Sequence, residues 1–409
     1  MRGSRLDTNP CLSIHFPHQR QFSAKEVLME IKFSFEELEI QKAVRKFVRN
    51  DLLPIAREVD EKGTLPDPVK KKFISMGLLK SAFPVDYGGA GGSFTGFIMA
   101  LKEISYTSLI PSWMLFENFM LAFPLLEYGS EFLKTTYLER LLSLATTGAL
   151  AFTEPDTGSD PDQLRTVAKK VEGGWIINGG KRFITHSGTC DQMILFARTG
   201  KDVTAFLVES KNEGYRIGKR ESFIQAFFID NGELYLEDYF AHDKHVIGQV
   251  GQGFEILLKT EAIGKIAFCS LFVGLAERAI DLAINYANTR IHRDKPIGEK
   301  FQMTQVKLAK MMTKIELMNA YLYQTCSKVD QGEDIFVGAA VLKLIVGDQI
   351  KEITADAMEV HGAYGLSEEY PIGNLYRTAI GAQAIMGSLD IQRVIIAKSL
   401  LGKGRYRWG

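Results

Sequence analysis

Ala151-Phe152-Thr153-Glu154-Pro155-Asp156-Thr157-Gly158-Ser159-Asp160 marks the point at which the chain changes character. Before it, from Phe33 to about Thr147, apolar residues recur at helical spacing, as in residues 35–44, and Pro54 is expected to close the segment that follows. Residues 86–92, Asp-Tyr-Gly-Gly-Ala-Gly-Gly, interrupt this pattern as a turn, and residues 112–126 are apolar almost throughout, as a buried helix requires. After the quoted stretch, residues 167–171, 175–178, 192–197, 203–208 and 233–237 read as short strands separated by Gly, Asn and Asp turns. From Phe254 the pattern is helical again, with long helices expected over 266–288, 302–328, 337–358 and 390–401. Helices, strands and helices in separate blocks make an α+β protein rather than a doubly wound sheet. The expected domains are helical over 29–149, antiparallel β over 150–250, and a four-helix bundle over 251–409.

The bulk composition narrows the functional classes. Lys+Arg and Asp+Glu balance at 49 each, which argues against the basic face of a nucleic-acid binder. No uninterrupted apolar run reaches the roughly 18–20 residues of a membrane span. Cys11, Cys190, Cys269 and Cys326 are far apart and form no C-x-x-C pair, as expected of free thiols in a reducing compartment. His242 and His245 lack companion ligands, so no metal site is expected. Residues 1–28 carry Arg2, Arg5 and Arg20 with several serines, and two readings stay open. They are a transit peptide, which would place the protein in the mitochondrial matrix, or an extended start ahead of Met29 on a cytoplasmic protein.

Two motifs mislead. Asp156-Thr157-Gly158-Ser159 matches an aspartic protease signature, but that chemistry needs two carboxylates sharing a proton, and the chain has one copy in a mostly helical sequence. Gly248-Gln249-Val250-Gly251-Gln252-Gly253 has the glycines of a dinucleotide loop, yet it leads into helices rather than a βαβ unit and reads as a linker.

With Lys181-Arg182-Phe183-Ile184-Thr185-His186, the opening stretch resembles the flavin-binding signature of the acyl-CoA dehydrogenase family. The resemblance extends from about residue 30 to the C-terminus. It implies FAD held by Phe152, Thr153, Gly158 and Ser159, with Phe183 and Thr185 against the isoalloxazine. Glycine allows close backbone approach there, and Ser159 supplies a donor to an anionic oxygen. Tyr286-Ala287-Asn288-Thr289-Arg290 with Phe301-Gln302, and Ala357-Met358-Glu359-Val360-His361-Gly362, are similar to the elements that reach a neighbouring subunit's cofactor. Arg290, Gln302, Glu359 and Gly362 are the residues so implied, with Ser388 and Asp390 contacting FAD from the C-terminal domain. Glu359 stands where the family has glutamine, and Arg293-Asp294 replace Phe-Gly.

The family's catalytic carboxylate is missing. Its usual position in a Tyr-Glu-Gly-Thr sequence falls on Met386, and its second position falls on Gly264. Glu117 is the leading substitute, because it is the single charge in the apolar run 111–123, a segment that lines the acyl cavity in the family. Desolvation there would raise its pKa, as a base requires. Asp390 and Glu261 are weaker candidates. The resemblance further implies an acyl-CoA substrate met by Ser159, Lys265, Met386 and Gly387, a homotetramer, and electron-transferring flavoprotein as oxidant. The family's Asp-x-x-Arg contact to CoA falls on Ala262 and Lys265, so its aspartate is absent. The expected reaction is α,β-desaturation of an acyl thioester, with cyclic and branched acyl groups among the candidates. The alternatives are a flavin monooxygenase, an acyl-carrier-protein oxidase, or a flavin-binding subunit without a base.

Overall fold

The structure, a computed structural model, describes residues 32–160, 163–224 and 229–402; the expectations for residues 1–28 fall outside these. Six helices come first: α1 Phe35–Phe47, α2 Ala56–Lys62, α3 Asp67–Ser75, α4 Phe94–Ser105, α5 Leu109–Tyr128 and α6 Glu131–Leu142. α1 begins on a reciprocal cap, in which Ser34 Oγ accepts from Glu37 N while the Glu37 carboxylate accepts from Ser34 N. Pro54 does not close a helix as expected. It lies in a 3-10 turn, Leu53–Ile55, just ahead of α2, where its missing N–H breaks no helical bond. α5 is long and apolar enough to cross a bilayer by composition, but 83% of that stretch is buried inside the protein.

Eight strands follow: β1 Gly148–Ala151, β2 Val167–Val171, β3 Gly174–Thr185, β4 Gln192–Thr199, β5 Asp202–Glu209, β6 Tyr215–Arg220, β7 Asn231–His242 and β8 Val246–Ile247. They form one sheet in the order β6-β7-β3-β2-β4-β5-β8, with β1 on β4. The sheet is antiparallel as expected except at two places: β1 runs parallel to β4, and Val167 of β2 pairs parallel with Arg198 of β4. β1, β6 and β8 were not legible in the sequence. β1 is Gly-Ala-Leu-Ala without alternation, β6 is a largely exposed edge of charged residues, and β8 has two residues.

The C-terminal domain contains α7 Gly253–Thr289, the two-stranded β9 Ile291–His292 and β10 Lys295–Pro296, α8 Ile297–Lys300, α9 Gln302–Asp330, α10 Phe336–His361, α11 Ile372–Ala379 and α12 Leu389–Leu400. α7, α9, α10 and α12 are the expected bundle. α4 and α5 pack on α7, so the first helical domain and the bundle share one apolar core. Polar anchors reinforce that junction. Buried Lys102 of α4 donates to Glu277 of α7 at 2.8 Å. The Asp330 carboxylate, at the end of α9, accepts from Phe94 N at 2.8 Å, Thr95 N at 3.1 Å and Thr95 Oγ1 at 2.5 Å. The two N–H donors belong to the first turn of α4, which its own helix leaves unpaired.

Candidate active site

A cavity of about 730 Å³ lies where α5, the β domain, α7 and the segment leading into α12 meet. It is mainly apolar, with Trp113, Phe116, Phe152, Phe254 and Phe336 among its walls. Its β-domain side is built by two segments that the sequence singled out.

The first is the loop carrying Phe152, Thr153, Gly158 and Ser159, all of which line the cavity. Glu154 shapes this loop from within. Its carboxylate accepts from Arg165 N at 2.6 Å and Thr166 N at 3.0 Å, and from buried Lys181 Nζ at 2.9 Å. Lys181 also donates to Phe152 O at 3.0 Å, and Arg182 N donates to Thr153 O at 2.9 Å. The pairing holds Glu154 below the usual carboxylate range against its burial, and burial brings Lys181 down to about 8.

The second segment is the end of β3. Between the Lys181/Leu234 and Ile184/Gly232 pairs, two residues of β3 face one of β7. This bulge turns Phe183 toward the cavity at φ 59°, an uncommon backbone conformation for a bulky side chain and one found where function demands it. Thr185 follows, and its Oγ1 accepts from Asn231 Nδ2 at 3.2 Å.

Facing them, α5 contributes Glu117. The residue is 7% exposed, and Trp113 Nε1 donates to its Oε1 at 3.0 Å. Burial raises its pKa to about 7, with the Trp113 N–H and the Thr185 hydroxyl opposing part of the rise. Among the described residues no cation pairs with it. Met120, three residues on, meets Gly264 and Met386, the two positions that the sequence resemblance singled out. A Cβ on Gly264 would run into Met120 Sδ and lie 2.9 Å from Met386 Cε. Gly264 and Met386 therefore border the same space. Here methionine sulfur and methyl groups occupy it.

Lys265 and Glu261 line the same cavity and pair with each other at 3.0 Å. Met386, Gly387 and Ser388 line it too, and Ser388 caps α12 by accepting from Ile391 N. Asp390 is turned away: it is exposed and pairs with Arg393 at 2.8 Å. Arg290, Gln302, Glu359 and Gly362 are all exposed and lie outside this cavity. The Arg290 guanidinium sits 5.7 Å from the Tyr364 ring centroid, which draws two of those segments together. Glu359 is neutralised by Lys307, which also lies 3.6 Å from Asp356.

Two further residues of the cavity had no signal in the sequence. Asn231 reads there as part of an Asp-Asn-Gly turn, and Gln392 reads as an ordinary helical residue. Asn231 Nδ2 is committed to Phe183 O and Thr185 Oγ1, and Gln392 Nε2 to Gly387 O and Ser388 O. The carbonyl partners fix both amides, and Asn231 Oδ1 and Gln392 Oε1 are left buried with no partner. A buried acceptor without a donor is costly, and because both residues line the cavity, a ligand carrying N–H or O–H groups suits them. An isoalloxazine with its ribityl chain carries such donors, and the residues present fit it.

The segregated domains enclose between them a cavity with the size and polar edges to hold a flavin. The comparisons with known proteins agree. The N-terminal, middle and C-terminal domain families of acyl-CoA dehydrogenase match residues 34–145, 149–239 and 251–401. A 3-(aryl)acrylate reductase of Clostridium sporogenes is 33% identical over 88% of this chain and 97% of its own. The butyryl-CoA dehydrogenase structure from Megasphaera elsdenii superposes with a TM-score of 0.87 at 30% identity, over 91% of this chain and all of that one. A structure described as PigA with FAD and proline gives 0.87 at 28% identity, over 92% of this chain and 100% of that one. The chain belongs to the acyl-CoA dehydrogenase family, and its cofactor is FAD.

Proposed function

We propose that this protein interconverts a saturated acyl thioester and its α,β-unsaturated counterpart, with Glu117 as the acid–base group. FAD, when bound, supplies the two-electron partner for the hydride exchanged at the β-carbon. Phe152, Thr153, Gly158, Ser159, Phe183, Thr185, Asn231, Ser388 and Gln392 would hold it on the evidence of their place in the cavity. One observation carries the assignment of Glu117: a carboxyl buried in the cavity wall with no cationic partner among the described residues. In an apolar enclosure an ionised carboxyl without a cationic partner costs several kcal/mol, a cost that a catalytic role would account for.

Ionised Glu117 takes the proton from the thioester α-carbon, and Trp113 holds Oε1 and so fixes the carboxyl's orientation. Around it the apolar walls exclude water. A pKa of about 7 leaves both forms abundant at neutral pH, so the same carboxyl returns a proton when an enoyl thioester is reduced. The reductase among the relatives supports including that direction. Lys265, which lines the cavity, would meet the thioester carrier as a point charge tied to Glu261. Exposed Arg290, Gln302, Glu359 and Gly362 would serve a neighbour's cofactor in a homotetramer, and electron-transferring flavoprotein is the proposed redox partner.

The test is anaerobic bleaching of the flavin by linear, branched and cyclic acyl-CoA esters, with Glu117→Gln as the comparison. The variant should keep its FAD and bleach about 10²–10⁴-fold more slowly. Bleaching at the wild-type rate would remove Glu117 from the chemistry, and silence of the wild type across the panel would remove the reaction.

A further inference from the structure

The cavity wall formed by residues 380–388 is irregular, and something other than a helix or sheet ladder must hold it. A 3-10 turn covers Ile380–Gln383, after which Met386 and Gly387 have φ of 59° and 81°. Lys343, in the middle of α10, is fully buried, and its Nζ donates to Ala382 O at 2.6 Å. The Phe268 ring lies 5.4 Å from the same nitrogen. Gln383 makes the converse bond: its Nε2 donates to Gly347 O, also at 2.6 Å. Lys343 and Gly347 are one helical turn apart on α10, so consecutive wall residues are fastened to consecutive turns by bonds running in opposite directions. Gly347 makes the approach possible, since a Cβ there would run into Leu389 and lie 3.2 Å from Ala382 O.

A buried ammonium is an unfavourable way to fill space, and burial pushes Lys343 down to about 8. Methionine would occupy the same volume without that penalty, so what lysine adds is its bond to the wall. We infer that Lys343 and Gln383 are positioning residues that latch the segment 380–388 and thereby set which acyl groups fit beside Met386. The selectivity half of this inference rests on the cavity being the acyl site, whereas the latch itself does not.

The experiment uses the FAD-loaded protein and two variants, Lys343→Met and Gln383→Leu. Amide hydrogen exchange of residues 384–388, measured without any thioester, should quicken about tenfold in both while flavin content and visible spectrum stay as in wild type. Across a panel of acyl-CoA esters, KM for bulky acyl groups should rise severalfold more than kcat falls. If Lys343→Met does not fold, Gln383→Leu decides alone, because it removes a latch bond without touching a charge. Unchanged exchange in a folded variant overturns the latch. Faster exchange with unaltered relative KM values overturns its role in selectivity, and faster exchange in a protein that ignores every thioester overturns the acyl reading while leaving the latch.

Discussion

Glutamine at position 117 should make the protein more stable, increasingly so as pH rises. The wild-type carboxyl binds its proton more tightly when folded, with a pKa of about 7 against the model-compound value of 4.5. Below pH 4.5 it is protonated in both states and costs nothing. Through the window from 4.5 to 7 the folded chain holds the extra proton, so stability falls with rising pH and the loss is complete above 7. A shift of that size corresponds to about 3 kcal/mol, of which about 2.5 develops between pH 5 and pH 8. Glutamine is nearly isosteric and its Oε1 can still accept from Trp113, so the substitution isolates the charge. For a chain of 409 residues the entropy of unfolding is roughly 0.9 kcal/mol per kelvin, so the melting-temperature gap between Glu117→Gln and wild type should widen by about 3 °C from pH 5 to pH 8. Scanning calorimetry of both proteins at the two pH values measures it. A gap of equal size at both would refute the reasoning, since it would mean that Glu117 is ionised or neutral throughout.

Lys181→Met would strand the Glu154 carboxylate and should cost about 3–5 kcal/mol of stability. Because the pair also ties the Phe152–Ser159 loop to β3, FAD should dissociate more readily, which ultrafiltration of the flavin would show; full retention of FAD would contradict that link. In the Glu117→Gln background, Met386→Glu should restore flavin bleaching at least about tenfold, because residue 386 borders the same space as Met120 and Gly264. Rapid-mixing absorbance would record the recovery, and its absence would mean that the wall no longer presents that position to the substrate.

Most of the architecture was legible because its signals are local. β4 and β5 are short apolar runs between turns, and α5 is a long one in which Glu117, the single charge between residues 111 and 123, stands out against its neighbours. Features that depend on residues far apart were not. Glu154 and Lys181 lie 27 positions apart and look like ordinary surface charges until β3 folds against the loop. Lys343 shares its helix with one other lysine, Lys351, and nothing local distinguishes the one that points inward. Asn231 is hidden by its own motif, since Asp-Asn-Gly advertises a turn and says nothing of an amide aimed into a cavity. Met386 and Gly264 could be singled out from the resemblance, but their adjacency to each other and to Met120 is a fact of packing alone.

The carboxylate of Asp330 has a mechanical consequence. Its three bonds rivet the end of α9 to the start of α4, and α4 leads directly into the helix bearing Glu117. The first domain and the bundle must then travel as one rigid block, with the acid on one of its inner faces and Met386 on another. A swing of the β domain against that block would change the distance from Glu117 to Thr185 before it changed the gap between Glu117 and Met386.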